Sequence, residues 1–70
     1  MTKEFSHRVI LEVLTASGKP MSAAEIAKRM TKYHLTSYEV GGMLRTWESV
    51  GKVRRIYVKH LGRNLWEAVQ

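Results

Sequence analysis

Four stretches of hydrophobic periodicity divide the chain, and the period changes once. Over residues 3–16, Phe5, Val9, Ile10, Val13 and Leu14 recur at spacings of four, one, three and one, the signature of an amphipathic helix with a broad buried face. Leu11 widens that face, Lys3, Glu4, Arg8 and Glu12 solvate the rest, and Ser17-Gly18 ends the helix. A second helix is expected over residues 22–31. Ser22 and Glu25 have Ser-x-x-Glu capping-box spacing, Met21 and Ile26 occupy the staple positions, and Ala23, Ile26, Ala27 and Met30 form the inner face. A third helix is expected over residues 36–50. Thr36 and Glu39 repeat the box, Leu35 and Val40 the staple, and Val40, Met43, Leu44 and Trp47 follow at helical spacing. Gly51 stands where a left-handed C-terminal cap belongs.

Beyond Gly51 the period falls to two. Residues 52–59, KVRRIYVK, and 64–69, NLWEAV, read as the strands of a hairpin around a turn at His60-Leu61-Gly62-Arg63, with Leu61 covering the turn. The preferred register sets Ile56 opposite Trp66, Tyr57 opposite Leu65 and Arg55 opposite Glu67, an apolar pair inside and an ion pair outside. A one-residue slip that buries Tyr57 with Trp66 is the competing register. Lys19-Pro20-Met21 is too short to stand alone and reads as a brief edge strand against the hairpin. The linker TKYHL, residues 31–35, packs through Tyr33, while His34 serves either the turn or a backbone partner.

Gly41-Gly42 is an unusual choice for a helix interior, because each glycine costs roughly 0.5–1 kcal/mol relative to alanine. Gly41, on the flank, is expected to admit an adjoining helix. Gly42 lies on the outer face with Tyr38, Arg45 and Ser49, where bare backbone can approach a groove wall or a base edge.

Composition narrows the partners. Seventy residues with 44% hydrophobic content make one domain, 1–70, near the lower size limit for folding on a single core. There is no cysteine, and His7, His34 and His60 lack ligand spacing, so neither disulfide nor metal site is expected. No apolar run is long enough for a membrane helix and no signal-peptide pattern is present, which makes a soluble cytoplasmic protein with no membrane partner the expectation. No paired carboxylates, nucleophile constellation or glycine-rich phosphate loop can be argued, so no enzyme activity and no cofactor are expected. The net charge of +6 is distributed unevenly. In residues 1–27, Lys3, Arg8 and Lys19 cancel Glu4, Glu12 and Glu25, whereas residues 28–70 carry nine basic side chains against Glu39, Glu48 and Glu67. Such an asymmetry is the footprint expected of nucleic-acid binding. Lys28, Arg29 and Lys32 have two readings of equal standing, complementing the dipole at a helix C-terminus or contacting phosphate.

Three helices and a basic hairpin, carried by SAAEIAKRM, TSYEVGGMLRTWESVGKVRRI and LWEAV, resemble the winged helix-turn-helix family of DNA-binding domains over about residues 5–69. The resemblance implies an α+β fold, with residues 22–30 as supporting helix, residues 36–50 as recognition helix and residues 52–69 as wing. It implies double-stranded DNA as partner and a small transcriptional or architectural regulator as function, nucleoid-associated in a prokaryote or virus. Recognition would fall on Ser37, Tyr38, Gly42, Arg45, Thr46 and Ser49, with Arg45 suited to bidentate pairing with guanine. Tyr38 and the nearby backbone amides suit a phosphate. Wing contacts would fall on Lys59, His60, Arg63 and Asn64, and Arg54 joins the DNA-binding set. The linker TKYHL is longer than in the tightest units of this family. No stretch is left for a dimerisation helix, so the free protein is expected to be a monomer, with pairing on DNA still open. A winged-helix protein-interaction module using the same helix or wing is the alternative, favoured by the scarcity of base-reading groups beside Arg45. A structured-RNA binder shares the charge argument.

Overall fold

The computed structural model describes the backbone of residues 3–69 and the side chains of residues 6–69, so Phe5, Lys3 and Glu4, assigned to the faces of the first helix, lie outside the described side chains. The order is α1 (Lys3–Ser17), α2 (Ala23–Arg29), a 3-10 turn at Thr31–Tyr33, α3 (Ser37–Ser49), β1 (Val53–Val58), a second 3-10 turn at Lys59–Leu61, and β2 (Arg63–Ala68). Among the described residues no helix is long and apolar enough to cross a membrane.

The helix starts follow from local chemistry. At α2 the Ser22 hydroxyl accepts from Glu25 N–H at 3.2 Å while Ser22 N–H donates to Glu25 Oε1 at 3.0 Å. Thr36 and Glu39 make the same reciprocal pair at α3, at 3.1 and 3.0 Å. Each box satisfies two of the donors that a helix N-terminus otherwise leaves unpaired. At the far end of α3, Gly51 takes φ 78°. Its N–H donates to Glu48 O at 3.0 Å and Lys52 N–H to Trp47 O at 2.9 Å, the Schellman arrangement that lets β1 leave at once.

The core forms where these elements meet. Ile10 and Leu14 of α1, Ile26 of α2 with its cap Met30, Val40, Met43 and Leu44 of α3, and Met21, Val53 and Trp66 are all buried. Trp47 and Tyr33 pack partly buried against them. Trp47 Nε1–H also donates to His7 O at 2.7 Å, tying α3 to α1. The linker between α2 and α3 is a 3-10 turn closed by exposed His34 in the left-handed region at φ 56°. Met21 makes the expected short strand: its N–H and C=O exchange hydrogen bonds with Trp66, both 2.8 Å.

The hairpin register differs from the expected one. Ile56 faces Leu65, Arg55 faces Trp66, Arg54 faces Glu67 and Tyr57 faces Asn64. The cause lies in the turn, which starts at Lys59 and closes on Gly62 at φ 64°, so that Val58 meets Arg63. One residue of slip exchanges the two faces of a strand. Val53, Arg55 and Tyr57 therefore share the face of Trp66, and Arg54, Ile56 and Val58 share the other face with Glu67, Leu65 and Arg63. The ion pair expected for Arg55 and Glu67 is made instead by Arg54 and Glu67, with Arg54 Nε 2.8 Å from Glu67 Oε1. Leu61 does not cover the turn and stays 48% exposed.

Candidate nucleic-acid interface

Five of the residues singled out by sequence converge on one groove. The start of α2 contributes Ser22, Ala23 and Ala24; α3 contributes Ser37, Tyr38, Gly41 and Arg45; β2 contributes Arg63, Asn64 and Trp66. The groove measures about 490 Å³, is open along one side and has no acidic side chain in its lining. Tyr38 stands at its edge with 84% of its surface exposed. The capping box at Thr36 fixes the start of α3 through side-chain–backbone bonds, and the Met21–Trp66 bridge holds β2 beside α2 through backbone bonds.

The arginines divide into two classes. Arg54 is paired with Glu67, and Arg55 Nε lies 3.3 Å from Glu48 Oε2 with its guanidinium 5.6 Å from the Trp66 ring centroid. Arg45 and Arg63 make no ion pair among the described residues, and these two line the groove. Among the arginines of α3 and the two strands, these are the two whose charge is left for an external anion. Arg54 is not brought to this groove: it pairs with Glu67 at the end of the hairpin away from Arg63, where it borders a hollow with Leu14, Gly18 and Lys19.

The remaining candidates sit elsewhere on the surface. Thr46 and Gly42 line a separate shallow hollow with His7 and Glu39. The hydroxyl of Thr46 donates to Gly42 O at 3.3 Å and that of Ser49 to Thr46 O at 2.7 Å, so both fold back on carbonyls of α3 itself. Lys59 and His60 are exposed on the hairpin turn. Lys28, Arg29 and Lys32 are exposed around the end of α2 and do not line the groove; Lys32 Nζ lies 5.3 Å from the Tyr33 ring centroid. Among the described ionisable groups Glu25 stands out: chiefly the Ser22 backbone N–H, with the Ser22 hydroxyl and the charges of Lys19 and Arg29, holds its carboxyl below the usual carboxylate value, against an opposing effect of burial.

Sequence reasoning missed Ser22, Ala23, Ala24 and Trp66 as groove residues and gave Gly41 the wrong reason. A Cβ built on Gly41 or Gly42 meets no atom within 4 Å, so no neighbouring helix requires either glycine. The available signal was their cost within a helix, which internal packing does not explain.

A solved structure of HOP2, described as giving structural insights into its DNA recognition and protein interaction domains and its homologous DNA pairing properties, is similar over 90% of this chain and 97% of that one. The TM-score is 0.72 and the sequence identity 25%. This chain is a winged helix. In winged-helix terms α2 and α3 form the helical pair, and β1, β2 and their turn form the wing. No protein-family model matches the chain, and no curated protein matches it either.

Proposed function

We propose that this winged helix binds double-stranded DNA, with α3 entering the major groove and the wing turn on the adjacent backbone. The observation that carries the reading is the pair Arg45 and Arg63. They are unpaired among the described residues and converge on a groove free of acidic side chains, while Arg54 and Arg55 are neutralised by Glu67 and Glu48. Arginine in that setting suits phosphate and base edges alike. The similarity to the DNA recognition domain of HOP2 supports the same reading. The proposed role is that of a small transcriptional or architectural regulator in the cytoplasm or nucleoid, monomeric when free, without catalytic activity or cofactor.

A second reading has its own support. Trp47, Leu11 and Ala16 line one exposed apolar hollow and Trp47 and Val50 an adjoining one, on the α1 side of α3, and the HOP2 structure also concerns protein interaction. Titration with random-sequence duplex at physiological salt, followed by site selection from a random pool, separates the two. Duplex binding that strengthens on a selected site supports the regulator, and no binding at that salt favours the interaction module.

A further inference from the structure

The groove between α3 and β2 has a chemistry that duplex binding alone does not use. Its two cations come from different elements, Arg45 from α3 and Arg63 from β2, yet much of the surface between them is uncharged and apolar: Ala23, Ala24, Gly41 and Trp66. A site for phosphate alone needs donors and charge, not apolar walls. A volume of about 490 Å³ falls within the ~300–1,000 Å³ typical of small-molecule sites, far more than one phosphate fills. At the edge, Tyr38 holds out an aromatic ring that the protein itself does not cover. Asn64, half-buried on β2, brings an amide with both donors and an acceptor. Gly41 lines the groove with open space where a side chain would project, at a helix position where glycine is costly. Apolar walls, an aromatic face, an amide and two outlying cations together match a nucleotide with its base inward and its phosphates outward.

We propose that this groove seats one unpaired nucleotide of a bound DNA strand. The base lies against the apolar walls and the ring of Tyr38, Asn64 faces its edge, and Arg45 and Arg63 hold the phosphates on either side. The inference rests on the DNA-binding reading. It adds that the protein favours DNA in which one nucleotide has swung out of the stack. Gly41 keeps the slot open, and Arg45 acts there on backbone rather than as a lone reader of guanine.

The test uses the full chain and three fluorescein-labelled duplexes of identical sequence: one intact, one with a single-nucleotide bulge, and one with an abasic bulge at the same place. The abasic bulge supplies the same backbone flexibility without a base. Fluorescence anisotropy is expected to give about tenfold tighter binding to the bulged duplex than to the other two, the size of one base-stacking contact. Tyr38→Ala and Gly41→Leu are each expected to bring the ratio of bulged to intact affinity down from about tenfold to about one, a ratio read separately from any change in binding of the intact duplex. Both changes fall at positions without internal contacts that need them, and a circular-dichroism melt verifies folding. Equal affinity for all three duplexes overturns the slot and leaves the DNA-binding reading standing. Equal preference for base-bearing and abasic bulges, or a preference that survives Gly41→Leu in a folded variant, also overturns it. Failure to bind any of the three overturns both readings.

Discussion

Replacing Gly41 and Gly42 with alanine, singly and together, should make the protein more stable. Each glycine lies inside a 13-residue helix and pays the backbone entropy of helix formation. A methyl at either position meets nothing within 4 Å, so no clash subtracts from the gain. Helix propensity then sets the size at roughly 0.5–1 kcal/mol per site. The unfolding entropy of a 70-residue chain is about 0.15 kcal/mol/K at roughly 2.1 cal/mol/K per residue, so each change should raise Tm by about 3–7 °C. The two sites point to different sides of α3, one into the groove and the other into the hollow with Thr46, so their effects should nearly add. Thermal melts followed by circular dichroism, with calorimetry for the enthalpy, measure this directly. An unchanged or lowered Tm for either variant would refute the argument that neither glycine serves packing.

Leu44 is fully buried, and Leu44→Ala should cost about 2–5 kcal/mol. A chain of this length has roughly 4–10 kcal/mol of stability in all, so urea melts should find about half of it lost and the midpoint lowered in proportion. Arg63→Ala should weaken duplex binding and lower the salt slope by about one unit, whereas Arg54→Ala, already paired with Glu67, should leave the slope unchanged; binding titrations across a salt series distinguish them. Glu25 has a depressed folded-state pKa, so its contribution is present above the unfolded value near 4.3 and fades as pH falls through the folded value. Glu25→Gln should therefore be slightly less stable than the parent at pH 7, by less than about 1 kcal/mol for so exposed a group, with the two curves converging as pH falls below the folded value; a constant gap would contradict the carboxylate's role.

What could be read from the sequence was what depends on neighbours three or four residues apart. Ser22 with Glu25 and Thr36 with Glu39 announce α2 and α3, because both partners of each capping box lie within one turn. Gly51 marks the end of α3 for the same local reason. Met21 was legible within an edge segment because Pro20 favours an extended residue before it and fits an edge strand. The hairpin register was not legible, since either strand accepts several alignments and the choice falls to a turn whose 3-10 geometry has no strong residue signature. The groove was legible only in parts. Tyr38, Arg45, Arg63 and Asn64 could be named, but not their convergence, which requires three elements to be assembled around Trp66.

That register decides which positive charges remain for a partner. In the expected alignment Arg55 would spend its charge on Glu67 on the outer face, and Arg54 would share the inner face with Ile56. The observed alignment reverses the faces of β1. Arg55 now turns toward α3, where Glu48 takes its charge and its guanidinium covers the Trp66 ring, while Glu67 absorbs Arg54. Two of the three acidic residues in the basic half of the chain are consumed in this way, and the third, Glu39, is engaged in the capping box of α3. No carboxylate of that half is left to oppose Arg45 or Arg63. A cation with an internal partner gives up that partner on binding an anion, whereas an unpaired one surrenders only water. The same ion pairs that stiffen the hairpin thus leave Arg45 and Arg63, at the groove between α3 and β2, as the arginines of α3 and the strands open to an anion.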